Sequence, residues 1–461
     1  IAIGNRAMGT GTMTGSDNTA IGRHSGQDLT SGIQNTFVGY DAGMNATSGN
    51  YNTVIGADAG VGVLTGSAAV LIGWKAGQAI TSAQNTIAIG NTAMGVGTVT
   101  GTDNIAIGRQ AGQDLTSGTI NFFAGYLAGT EATTGSYNVA IGYSAIGTGV
   151  LTGEENVAIG RQAGNDLTSG SKNVILGYQA GYNATTAADT VSIGTQSMDT
   201  GTVTGEQNVA VGHHSGRGVT SGRSNVMLGP SAGYGITTGS FNVSMGYSVN
   251  TAALAGDNNI AVGRAAALSM TTGNHNLILG YEAGRNATTT TNTVAIGKQA
   301  FGTGVLTGTN NVALGYQAGA NATTPENTIA IGTNAIGTGV LTGNRNIAIG
   351  EQAAADLTSG TINIFMGYNA GANATTANYT VAIGSQAIGT GVLTGTDNVA
   401  IGRQAGMDLT TGEHNFFSGF QAGYNATTPE NTIAIGYAAI GLGVLTGDNN
   451  IVFGKWAGQR K

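Results

Sequence analysis

Apolar residues along this chain come in short bursts. Two aliphatic residues flank a third position and a glycine closes the run, as in Val139–Ala140–Ile141–Gly142, Val157–Ala158–Ile159–Gly160 and Val209–Ala210–Val211–Gly212. Alternation with period two over so few residues, rich in Val and Ile and ended by Gly, predicts a β-strand. Taking the closing glycine as reference gives 27 positions from Gly4 to Gly454, and all 26 intervals are 17 or 18 residues long. A small residue follows three after the glycine (Ala145, Ala163, Ala180, Ser215), and a larger apolar one stands near the next corner (Leu151, Leu167, Leu306, Leu357). So short a unit has no room for a strand plus a helix, and its glycines would each cost a helix about 1 kcal/mol. The pattern predicts an all-β, repetitive parallel β-solenoid, or β-roll, with one coil per repeat running through 1–461.

A second period overlies the first. Successive coils come in three versions, such as "GYSAIGTGVLTGEENVAI" from Gly142, "GRQAGNDLTSGSKNVIL" from Gly160 and "GYQAGYNATTAADTVSI" from Gly177, which together span 52 residues. Asparagine stands four before the reference glycine in 19 of 26 coils, so stacking at about 4.8 Å would let each amide bond the next. Thr with Gly near the opposite corner (Thr152, Gly153; Thr168, Gly170) supplies a second bend. At about 4.8 Å per coil the array would extend on the order of 125 Å. Both ends read as cut from a longer array, the last at "GKWAGQRK" from Gly454.

The residue two before the glycine is expected to point outward, with its two neighbours inside. It is Ala in many coils, but ahead of the third version it is bulky: Phe37, Phe123, Ile175, Met227, Ile278, Phe365 and Phe417. Strands apolar on both faces are normally covered on both. This stripe is therefore expected to be an interface with further copies of the same chain, a side-by-side homotrimer ahead of a dimer or filament.

Composition narrows the function classes. Charged residues make up only 8%, net charge is −7, and no stretch gathers Lys or Arg, so no electrostatic footprint for nucleic acid is present. No apolar run has the length of a membrane span, so no membrane insertion is expected. Cysteine is absent, which fits an extracellular repeat protein but fixes no compartment. The five histidines lack metal spacing, and "GTGVLTG" lacks the Lys-Ser/Thr ending of a phosphate loop. Neither a metal, a cofactor nor catalysis is expected.

Three recurrent polar features carry weaker signals. Arg109 with Asp114, Arg161 with Asp166 and Arg403 with Asp408 read as corner ion pairs worth roughly 0 to 1 kcal/mol. Asp-Asn steps at Asp17, Asp103, Asp257, Asp397 and Asp448 fit turn chemistry better than calcium binding. Six Asn-Ala-Thr sequons, at Asn45, Asn183, Asn286, Asn321, Asn373 and Asn425, are candidate glycosylation sites at corners.

The phrase from Asn138 to Ala145, repeated from Asn156 to Ala163, resembles the head repeats of trimeric autotransporter adhesins, and similar runs occur in bacteriophage tail fibres. That resemblance implies a parallel β-roll packed as three chains, placed outside the cell on a cell surface or a virion fibre. It also implies an attachment role toward a host-surface glycan or protein. The coils here are longer than the usual adhesin repeat and carry an extra "LTSG" or "ATT" corner. A structural fibre or adhesin segment is thus the expected function, with a self-assembling filament subunit as the alternative. A module binding ice or glycans through Thr-rich corners (Thr133, Thr134, Thr185, Thr186, Thr323, Thr324) is a further alternative, although ice binding calls for one flat Thr-x-Thr face in every coil.

Overall fold

The computed structural model describes residues 1–10, 12–441 and 443–458. It is an all-β parallel solenoid, divided into two compact units, Ile1–Ser231 and Ala232–Lys461. The last three residues of the closing phrase lie outside the described residues. Among the described residues no helix is long and apolar enough to cross a membrane.

In the first unit, strands β1 (Ala2–Ile3) to β14 (Val226–Leu228) pair in chain order, each parallel to the next. In the second, β15 (Val243–Met245) to β27 (Ile451–Phe453) do the same. Register is set by the reference glycine and not by coil length. Val157 pairs with Val139, 18 residues back, and with Val174, 17 residues on. The far side of the coil is bound in places by single parallel bridges such as Ala184 with Val203 and Ala426 with Leu445.

The glycine that ends each strand serves two needs. At Gly142 φ is +132°, and a Cβ there would stand 2.5 Å from the carbonyl oxygen of Gly160 in the next coil. A side chain at this corner would thus both strain the backbone and push the stack apart.

The asparagine ladder forms as the spacing predicts. Asn156 Nδ2 donates to Asn138 Oδ1 at 2.9 Å and to the Gly170 carbonyl at 2.9 Å, while its backbone N–H donates to the same Oδ1 at 3.0 Å. Asn173 repeats this on Asn156, and the run closes where the Thr190 N–H donates to Asn173 Oδ1 at 3.1 Å. These amides are buried, so each unmet bond would carry the full cost of desolvation.

The strand faces are the reverse of the sequence expectation. Phe37, Phe123, Ile175, Met227, Ile278, Phe365 and Phe417 are at most 1% exposed within the single chain, and the Ala residues at the same strand position are equally buried. They are core residues and not an oligomer interface. The coil is thin: one residue per strand, the Ala three past the glycine and the corner Leu fill it, as with Ala158, Ala163 and Leu167.

Bulk is balanced between coils. Phe123 lies against Gly112 and Gly129, where an added Cβ would come within 2.9 and 2.7 Å of its ring. Where flanking strands carry Ala instead, as at Ala140 and Ala158, the position four past the glycine holds Ile146, fully buried. The "AG" and "AI" phrases of the sequence are therefore two halves of one volume constraint.

Phe123→Ala should cost about 3–5 kcal/mol by leaving a cavity. Gly129→Ala should also destabilise, both by the clash and by its φ of +59°. Chemical denaturation of the double variant should show a loss smaller than the sum of the two, because the truncated ring no longer meets the new methyl.

Candidate functional site

With the central strand residue inside, its two neighbours form the outer face. Along each unit these are two columns of mainly Val, Ile, Leu and Met, interrupted by Thr19, Thr36 and Thr53 in the first unit and Ser418 in the second, half-buried to exposed, with Ile107, Ile159 and Ile401 near 40%. At about 4.8 Å per strand, one unit's face covers on the order of 600 Å², at the upper end for an apolar patch on a monomer.

A further column flanks this face five residues before the glycine. Among mostly polar residues it includes Tyr51, Ile120, Tyr137, Ile362 and Tyr379, all exposed. Ile120 and Ile362 adopt φ of 57°, a left-handed conformation that β-branched residues resist. A shallow apolar groove runs here between Ile347, Ile362, Ile364, Tyr379 and Val381. The turn imposes this conformation at the same position in other coils, as at Tyr51, Tyr137 and Tyr379, and the Ile120 and Ile362 N–H groups bond the carbonyls of Thr102 and Asn344 at 3.1 and 3.0 Å, so what sets the two isoleucines apart is their exposure.

The charged residues that follow the reference glycine make their pairs between coils. Arg109, Arg161 and Arg403 do not pair with the aspartates of their own coils. Arg161 lies 5.6 Å from the ring centroids of both Tyr143 and Tyr178, Arg109 lies 5.2 Å from that of Tyr126, and Arg403 lies 5.5 Å from that of Phe420. The aspartates instead accept from threonines one coil back. Thr10 donates to Asp28 at 2.6 Å, Thr148 to Asp166 at 2.5 Å, and Thr338 and Thr390 to Asp356 and Asp408. The corner charges are not ion-paired along the chain as expected; stacked coils supply their partners 17 or 18 residues away.

Asp114 is the exception. Its counterpart one coil back is Val96, which has no hydroxyl, and burial pushes the Asp114 carboxyl above its ordinary range. Asp103, by contrast, is held below that range by hydrogen bonds from Thr102 and Asn85. Asp199 is pushed up by burial although Arg217 sits 2.9 Å away and opposes the shift.

The other Asp-Asn corners accept from nearby groups: Asp257 from the Ser240 N–H at 2.7 Å, Asp448 from the Glu430 N–H at 3.0 Å, and Asp17 and Asp397 from the hydroxyls of Ser16 and Thr396 at 3.1 and 2.9 Å. Among the described residues no cluster of three or more His, Asp or Glu could hold a metal. His24 Nδ1 meets Asp41 on the next coil at 3.0 Å, a contact the spacing did not suggest.

The sequon asparagines are half-buried corner residues. Asn183, Asn286 and Asn373 donate their side-chain amides to the next coil's carbonyls of Asp199, Thr303 and Thr390 at 2.7 to 3.0 Å. A structural role thus accounts for them. The Thr-rich corner is also partly committed, since Thr168, Thr358 and Thr410 each donate to a neighbouring Thr carbonyl at 2.9 Å.

What the fold defines is a tandem-repeat parallel β-solenoid. No family model matches the chain, and a search of curated proteins finds no match either.

Raised by burial, Asp114 favours its protonated form, so its contribution is complete below the ordinary carboxylate range and is lost as pH rises through the raised value. Asp114→Asn should therefore stabilise the protein at pH 7 and lose that advantage near pH 3. Val96→Thr should instead gain about 1 kcal/mol at pH 7 by restoring the missing hydroxyl donor. Urea titrations at both pH values check the pair.

Proposed function

We propose that this chain is a structural segment of an extracellular fibre or adhesin, assembled from parallel copies that seal the apolar strand face against one another. The observation that carries this reading is the mainly aliphatic outer strand face of each unit, as at Ile159 and Ile401, beside the exposed Ile120 and Ile362. Long exposed apolar faces on soluble proteins mark surfaces that are covered in use. A second copy of the same chain has a face of the same repeat spacing. Three copies are favoured because the repeat phrase resembles adhesin heads. The coils then provide a stiff support, and repetition lets weak attachments to a host-surface glycan or protein add up.

Three measurements test this. The mass of the assembled particle should equal three chains; a single chain at micromolar concentration contradicts assembly, and a dimer contradicts the trimer. The chain has no cysteine, so Ile401→Cys reports on the face alone. It should label rapidly in dilute, dissociated protein and become protected on assembly, while Phe417→Cys resists labelling in both. Ile362→Asn should stabilise the dissociated chain by up to about 1 kcal/mol, since Asn tolerates positive φ, yet weaken assembly. If assembly is unchanged, Ile362 is not part of the seam.

A further inference from the structure

One column remains unaccounted for by stacking or by the apolar face: the residue immediately after the reference glycine. This chain has only 16 Lys and Arg, yet seven of them stand in that single column: Arg23, Arg109, Arg161, Arg264, Lys298, Arg403 and Lys455. Eleven of the remaining members are aromatic, and only Glu351 is acidic. Coil stacking does not demand this, since Ala57, Thr333 and Ser385 fill the same position in other coils.

The column is most regular in the second unit, where Tyr247, Arg264, Tyr281, Lys298 and Tyr316 alternate over five successive coils. Arg264 lies 5.8 Å from the ring centroids of both Tyr247 and Tyr281, and Lys298 lies 5.7 and 5.5 Å from those of Tyr281 and Tyr316. All five side chains are exposed. Among the described residues no carboxylate lies within ion-pair distance of either cation; the neighbouring Glu282 bonds Arg285 at 3.2 Å and Gln299 at 2.8 Å and feels the charge of Arg264 only from a longer range.

We propose that this column binds a linear acidic polysaccharide carrying one carboxylate per disaccharide. With cations on both sides of Tyr281, its ring faces are occupied, so bases have no open platform on which to stack as in single-strand binders. What the column presents outward is a line of phenol hydroxyls and cationic N–H donors, which suits sugar hydroxyls and carboxylates. Spacing selects further. Arg264 and Lys298 are two coils apart, about 9.6 Å at the usual strand separation, whereas same-face carboxylates of an extended acidic peptide recur at roughly 6.8 Å. A pyranose unit advances about as far as one coil, so alternate sugars fall opposite alternate rungs.

The test uses the whole chain and hyaluronan decasaccharide as probe, with polyglutamate, oligothymidylate and neutral dextran as comparators, read by titration calorimetry. Hyaluronan should bind, and binding should weaken with salt. The double variant Arg264→Gln with Lys298→Gln should lose at least about tenfold in affinity, in line with loss of charge-assisted hydrogen bonds. Lys172→Gln, outside the column, should bind as the parent does. Absent binding, affinity retained in the double variant, or equal affinity for polyglutamate or oligothymidylate would overturn the proposal. A changed number of chains in the double variant would assign the column to assembly and overturn it too.

Discussion

Every coil in this protein depends on its neighbours for hydrogen-bond partners. Strand N–H and C=O groups, the corner glycines and the buried asparagines all bond to the coil above or below, with little to satisfy them inside a single 17-residue loop. That requirement fixes the register at the reference glycine and tolerates an extra residue only on the far side. It also explains why the same phrase recurs with so little change: a residue in one coil is the binding partner of its own counterpart in the next.

The second constraint is volume. With a single strand residue pointing inward, the interior accepts a phenylalanine only where glycines face it, as Gly112 and Gly129 face Phe123, and accepts Ile146 only between alanines. Coupling through adjacent coils favours duplication in three-coil blocks, although a second-version coil is absent between Gly297 and Gly315, where Phe301 faces Gly319 instead. The 52-residue super-repeat follows from packing.

Period, strand position, corner glycines and the asparagine ladder were legible in the sequence, because each shows as identity at a fixed interval. The inside of the strand was not. Alternation says that two faces differ but not which one is buried, and the bulk of Phe365 or Phe417 suggested an exposed seam that is in fact core. The deciding signal was available as anticorrelation between coils, large at one position wherever glycine stands at another. The polar corner misled for a related reason. Arg161 and Asp166 are close along the chain, yet their partners, Tyr178 and Thr148, sit one coil away. With the faces reversed, the mainly aliphatic columns beside exposed Ile120 and Ile362 become the surface open to a second copy.

Side-chain amide hydrogen exchange, followed in spectra of selectively labelled asparagine, addresses the stacking claim most directly. Ladder amides such as Asn138, Asn156 and Asn173 should exchange as slowly as the strand backbone, while the exposed Asn91 should exchange at the rate of a free amide. Ladder amides exchanging as fast as Asn91 would contradict in-register stacking of the coils.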